Sequence, residues 1–168
     1  FPDGKVDGEQ LSSLSYNAGC CDGDIGIGNV SSASLSGSIH GVLNLLNVSF
    51  TAQVGVDVNG KTQWMNLGKF TVTESERTDD STTFTAYHAA YTAFGQTYTP
   101  AVHSGSTGRA ILEDISRQTG IEVEPSTLAM CTMQTDGALT GHTYREMVGY
   151  IAALCGKNAV ITRDGFLR

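Results

Sequence analysis

A chain of 168 residues is long enough to bury a core of its own, as one domain or as a compact domain with a second lobe. Its formal net charge of -7, with no run of Lys or Arg, argues against nucleic-acid binding, and no stretch reaches the ~18–20 apolar residues that span a bilayer. Only 16% of the residues are charged, and Ser, Thr, Gly and Asn fill the gap, which suits strands and turns better than long solvated helices.

Residues 1 to 10 are polar and Gly-rich and read as a flexible arm. Leu11 to Tyr16 predicts a first strand, Cys20 to Asp24 a turn, and Ile25, Ile27 and Val30 a second apolar set. Ala33, Leu35 and Ile39 alternate with Ser34, Ser36, Ser38 and His40, the pattern of a half-buried strand. From Leu46 to Val58 every even position is apolar and every odd one polar or Gly, so this strand has one dry face and one wet face. Asn59-Gly60 then predicts a two-residue type I′ reversal, since both residues tolerate positive φ. That loop sets Val58 opposite Lys61, Val56 opposite Gln63, Val54 opposite Met65 and Ala52 opposite Leu67. It also sets Trp64, the single tryptophan, opposite Gly55, where its ring can cover the gap a strand glycine leaves. Phe70 and Val72 would then face the wrong way, so a bulge or corner is expected at Gly68-Lys69, with a new strand after it. Glu76 to Ser81 reads as a charged turn, and Thr83 to Tyr87 returns with Phe84 and Ala86 on one side.

After Tyr87 the period changes. His88 to Phe94 reads as a short helical turn. Ser106 is expected to cap a helix with Ile111, Leu112 and Ile115 inward and Gly120 as its stop. Ile121 and Val123 read as a brief strand before Pro125. Thr143 with Glu146 forms a capping box, and Tyr144, Met147, Val148, Ile151 and Cys155 share one stripe of the helix that follows. Ala159 to Thr162 is a last strand, and Arg163 to Phe166 a tight turn with only three residues, Phe166 to Arg168, to return, so the chain reads as a piece of a longer polypeptide. The expected fold is α+β: mainly antiparallel β, an open barrel or sandwich, with a small helical insertion. The corresponding organisation is an arm at 1–10, a β domain at 11–100, a helical lobe at 101–156 and the start of a strand pair at 157–168.

No catalytic, cofactor-binding or metal site emerges. Gly26-Ile27-Gly28 half-resembles a dinucleotide loop, but a strand and not a helix is expected to follow, so these read as strand glycines. His142 and Glu146 stand one helical turn apart, where the capping box accounts for Glu146. His40, His88 and His103 fall on a strand edge, a helix start and a loop, and no G-x-S-x-G elbow is present. Glu74, Glu76, Asp79 and Asp80 read as a charged hairpin tip rather than a glycosidase pair. Cys20, Cys21, Cys131 and Cys155 have no zinc-finger spacing and are expected as reduced, packed thiols.

The motif order CCDGDIGIGNVSSASLSGSI, then MNLGKFTVTESERTDDSTTFTAYHAAY, then GRAILEDISRQTGIEV, then TYREMVGYIAALCGKNAVITRDGFLR, resembles the N-terminal region of prophage tail hub proteins, the tail-tip or baseplate proteins of long-tailed phages of Gram-positive hosts. The likeness spans about residues 10 to 168 and is most distinctive over Leu67–Tyr87 and Tyr144–Leu167; family members often carry Asp where this chain has His88. It implies β barrels with a helical insertion, assembly as a ring-shaped homotrimer in the virion tail after synthesis in the host cytoplasm, and contacts with distal tail and tape measure proteins. With the residue reading above, the expectation is no catalysis in this segment and no cofactor, and charge and hydropathy leave neither nucleic acid nor membrane as partner. The alternatives are a peptidoglycan-degrading tail-associated enzyme or a carbohydrate-binding β module.

Overall fold

The computed structural model describes residues 6, 9–18 and 26–168. The Cys20-Cys21 turn, Ile25 and most of the 1–10 arm lie outside these residues. The chain forms two compact units, one of Phe1–Ala18 and Ala33–Ala89, the other of Gly19–Ser32 and Ala90–Arg168. The described residues 26–32 and 90–100 thus group with the helical unit, although periodicity assigns them to the β domain. Their grouping follows from distant pairing, Val30 with Ala159 and Thr97 with Thr143, which local pattern does not encode.

The first unit is an antiparallel half-barrel of strands β1 (Leu11–Asn17), β3 (Ser34–His40), β4 (Ser49–Val58), β5 (Lys61–Arg77) and β6 (Ser81–His88), in the order β1-β3-β6-β5-β4. The short strand β2 (Val30–Ser31) belongs to the other unit. The predicted reversal holds: Asn59 and Gly60 have φ of 54° and 74°, and Val58 pairs with Lys61, Val56 with Gln63, Val54 with Met65 and Gly55 with Trp64. A Cβ on Gly55 would stand 3.0 Å from the Trp64 ring, so the indole does cover the glycine.

The expected corner falls one residue earlier than Gly68-Lys69. Gln53 pairs with Asn66 and Ala52 with Gly68, leaving Leu67 as the extra residue, and β5 continues through the bulge instead of ending. Bulging turns Leu67, Phe70 and Val72 inward together with Ala52, and all four are buried. Phe70 meets Phe50 and Tyr16 at ring centroids 6.2 and 6.3 Å away, and His88 edge-on at 5.9 Å. Burial holds the His88 imidazole below its ordinary pKa. A second bulge at Thr73 resets the register before the charged turn.

The strand expected from Leu46 starts at Ser49. Asn47 is left-handed (φ 64°), Val48 N–H donates to the Leu45 carbonyl at 3.0 Å, and the side chain that enters the core is Leu45 while Leu46 stays exposed. The turn shifts the parity by one, which overrides an alternation that otherwise runs unbroken to Leu46.

The second unit packs helices α1 (Ala89–Phe94), α2 (Gly108–Thr119), α3 (Pro125–Met130) and α4 (Tyr144–Leu154) with the parallel pair of β2 and β7 (Ala159–Val160). Its core joins Phe94, Tyr98, Ile111, Leu112, Ile115, Met147, Val148, Ile151 and Leu167. Thr107, not Ser106, caps α2, accepting from Ala110 N–H at 3.2 Å, while the Ser106 carbonyl accepts from Thr135. Gly120 closes the helix in the left-handed conformation, φ 72°. Helix α3 is absent from the sequence reading: six residues are too short for a periodic signal, although Pro125 at its first turn is the usual start. Both halves of the α4 capping box form, with Glu146 Oε2 accepting from Thr143 N–H at 2.7 Å. The final turn closes as expected, Leu167 bridging both Ile161 and Val123.

Gly28 is not a strand glycine. It turns at φ 90°, its N–H donates to the Lys157 carbonyl, and a Cβ on Gly149 of α4 would fall 2.6 Å from the Gly28 carbonyl oxygen. The glycine-rich segment is a close backbone-to-helix contact that seats β2 beside β7. Ile27, expected to join an apolar set, is exposed.

Candidate interaction surface

The far part of the β4–β5 ribbon stands out because nothing in its own sheet covers it. Strand β6 pairs with β5 only from Phe70 to Arg77, so residues 53–66 run on as a two-stranded arm. Its apolar stripe continues the core face outward: Val54, Val56, Val58 and Met65 are 39% to 50% exposed, and Trp64 on the opposite face is 66% exposed. The dry face expected from Leu46 to Val58 is therefore dry only near its base, at Ala52. A two-stranded ribbon is marginal in water by itself, and clustered exposed apolar side chains mark surfaces that meet another molecule. The outer edge of β4 adds unpaired backbone groups, with Asp57 as its one charged residue and no proline to blunt it.

On the same sheet, two polar rungs cross four strands. Ser13, Ser38, Thr83 and Glu76 form one, and Ser15, Ser36, Thr85 and Glu74 the other. They line an open groove of about 530 Å³. Glu74 and Glu76 thus belong to this face and only Asp79 and Asp80 to the hairpin tip, because the bulge at Thr73 decides which side of β5 they take.

The candidate catalytic groups do not converge. His40 Nε2 lies 3.0 Å from Ser12 Oγ on an exposed part of the sheet, His88 packs on Phe70, His103 sits in a loop, and His142 stacks edge-on against Tyr150 at 5.1 Å. Glu146 is held below the usual carboxylate range, first by the Thr143 backbone N–H and then by its hydroxyl, so it serves the helix cap. Among the described residues no group of three or more His, Cys, Asp or Glu is placed to hold a metal, and no helix is long and apolar enough to cross a membrane.

Among the described residues, one well-connected polar centre is structural and escaped the sequence reading. Asp114, fully buried on α2, accepts from the Tyr98 hydroxyl at 2.8 Å, Ala101 N–H at 2.9 Å and the Gln118 amide at 2.9 Å, and Gln118 in turn accepts from Tyr144. Burial pushes its carboxyl pKa up, but the three donors and the nearby Arg117 more than offset this and leave it low. Tyr98 is pushed up by burial and by its bond to Asp114. The available signal was an acid at the edge of the inward stripe of α2.

No protein-family model matches this chain, and no curated protein matches it in sequence. Its fold is similar to that in the crystal structure of the 43 kDa tail protein of prophage MuSo2 from Shewanella oneidensis, with a TM-score of 0.53 and 15% identity. The match covers 92% of this chain and 51% of that one, so the chain spans about half the length of its structural neighbour.

Proposed function

We propose that this chain is a structural part of a phage tail, forming a hub at the tail tip in which copies of itself close a ring, as a trimer, and connect the tube to downstream domains. The observation that carries this reading is the extent of the fold likeness, which takes in both units of the chain and a neighbour named as a prophage tail protein. The arm supports it further. An apolar stripe continuous with the core and an unblunted edge strand suit a surface completed by another subunit, and a closed ring removes the edges a monomer leaves open. Distal tail and tape measure proteins are the remaining partners of this reading. Catalysis has no place in it, and neither a peptidoglycan hydrolase nor a glycan-binding module gains a specific observation.

Light scattering on the purified chain tests the proposal. The expected mass is that of a closed oligomer, returning to a monomer when Val54→Asp and Val56→Asp are combined. A strict monomer that binds no tail protein, or clearing of cell walls by residues 1–168 in a zymogram, would overturn it.

A further inference from the structure

We propose that Cys131 and Cys155 are a modifiable thiol pair that closes to a disulfide in an oxidising thiol buffer, fastening the end of α3 to the end of α4. Their Sγ atoms lie 3.6 Å apart, and both thiols are free. Each cysteine is the C-cap of its helix, so the pair joins two helix ends that the sequence separates by 24 positions. Both backbones are anchored: the Cys131 carbonyl accepts from Arg109 N–H at 2.6 Å, and Cys155 N–H donates to the Ile151 and Ala152 carbonyls. Closing from this contact to the ~2.05 Å of a disulfide asks for a movement of roughly 1.5 Å, within reach of side-chain rotation.

Access is also present. A cavity of about 300 Å³ is lined by both cysteines together with Leu112, Met130 and Val148. Cys155 is half-buried and Cys131 buried, which orders the steps. The Cys155 thiolate attacks a small-molecule disulfide, forming a mixed disulfide and expelling one thiolate. Cys131 then attacks the Cys155 sulfur, expelling the second; two protein thiols are oxidised, one small disulfide is reduced to two thiols, and the two protein protons pass to them. Burial, and after it the neighbouring Cys155 thiol, pushes Cys131 up to about 11, which agrees with the buried thiol acting second. The chemistry is independent of the tail reading. Under that reading, the thiols stay reduced during folding in the cytoplasm and the bond forms after particle release.

The test treats the purified chain with glutathione disulfide, counts free thiols and maps the unreduced tryptic digest. The expected result is loss of two thiols per chain and a cross-link between the peptides Gln118–Arg145 and Glu146–Lys157, unchanged in Cys20→Ser/Cys21→Ser and abolished by Cys155→Ser. Closing a loop of this length is expected to raise Tm by about 6–10 °C over the reduced chain. Four thiols persisting, a cross-link to the peptide carrying Cys20 and Cys21, or an unchanged or lower Tm in the oxidised chain would each overturn the proposal.

Discussion

Helix α4 and the β4–β5 arm carry equally regular apolar patterns, yet the chain buries one and leaves the other open. Tyr144, Met147, Val148 and Ile151 are buried because the chain itself supplies α2, β2 and β7 around them. Val54, Val56 and Val58 remain exposed because β6 gives way to α1 at Ala89, and no further strand follows beneath the arm. Periodicity reports that two faces of an element differ. It does not report whether the cover for the apolar face lies in the same chain.

Substitutions along these regions sharpen the contrast. Ile151→Ala, in the middle of the covered stripe, is expected to destabilise the chain by about 3–4 kcal/mol in urea unfolding. Asp114→Ala strands the Tyr98 hydroxyl, the Ala101 N–H and the Gln118 amide, at an expected cost of about 3 kcal/mol.

The same carboxylate sets an acid limb. Its folded pKa lies below the unfolded value, so its contribution is complete above about pH 4 and is lost as pH falls through the folded value. His88, also lowered, acts earlier, since a buried neutral imidazole loses stability as pH drops below about 6.5. Asp114→Asn should flatten the lower limb of a stability-versus-pH curve and leave the upper one in place.

Thr143→Ala removes the α4 cap and should cost about 1 kcal/mol, read as a shift in the urea midpoint. Val54→Asp with Val56→Asp should cost the isolated chain less than about 0.5 kcal/mol per site while abolishing association. A large loss of monomer stability from that double change would mean that the arm is covered within its own chain, and the contrast with α4 would collapse.

Most elements were legible in the residues. The Asn59-Gly60 reversal, the Trp64-Gly55 pair, the Gly120 stop and the Thr143-Glu146 box are local devices whose partners lie within a few positions, or at a distance that a two-residue turn fixes. The start at Ser49, the bulge at Leu67 and the Thr107 cap were not, because each depends on a one-residue choice that neighbouring elements settle, and helix α3 was not, because six residues are too short for a periodic signal. As for the candidate surface, the stripe was readable but its exposure was not.

The sequence by itself determined the α+β class, the strand alternation and the helix ends at Gly120 and Thr143, since backbone conformational preference and side-chain period act over short range. Tertiary structure alone decided that Gly28 lies against Gly149, that Asp114 gathers three donors, that Cys131 faces Cys155, and that residues 53–66 extend past the last strand able to cover them. Those outcomes depend on which distant segments share space, and that follows from packing the whole chain at once.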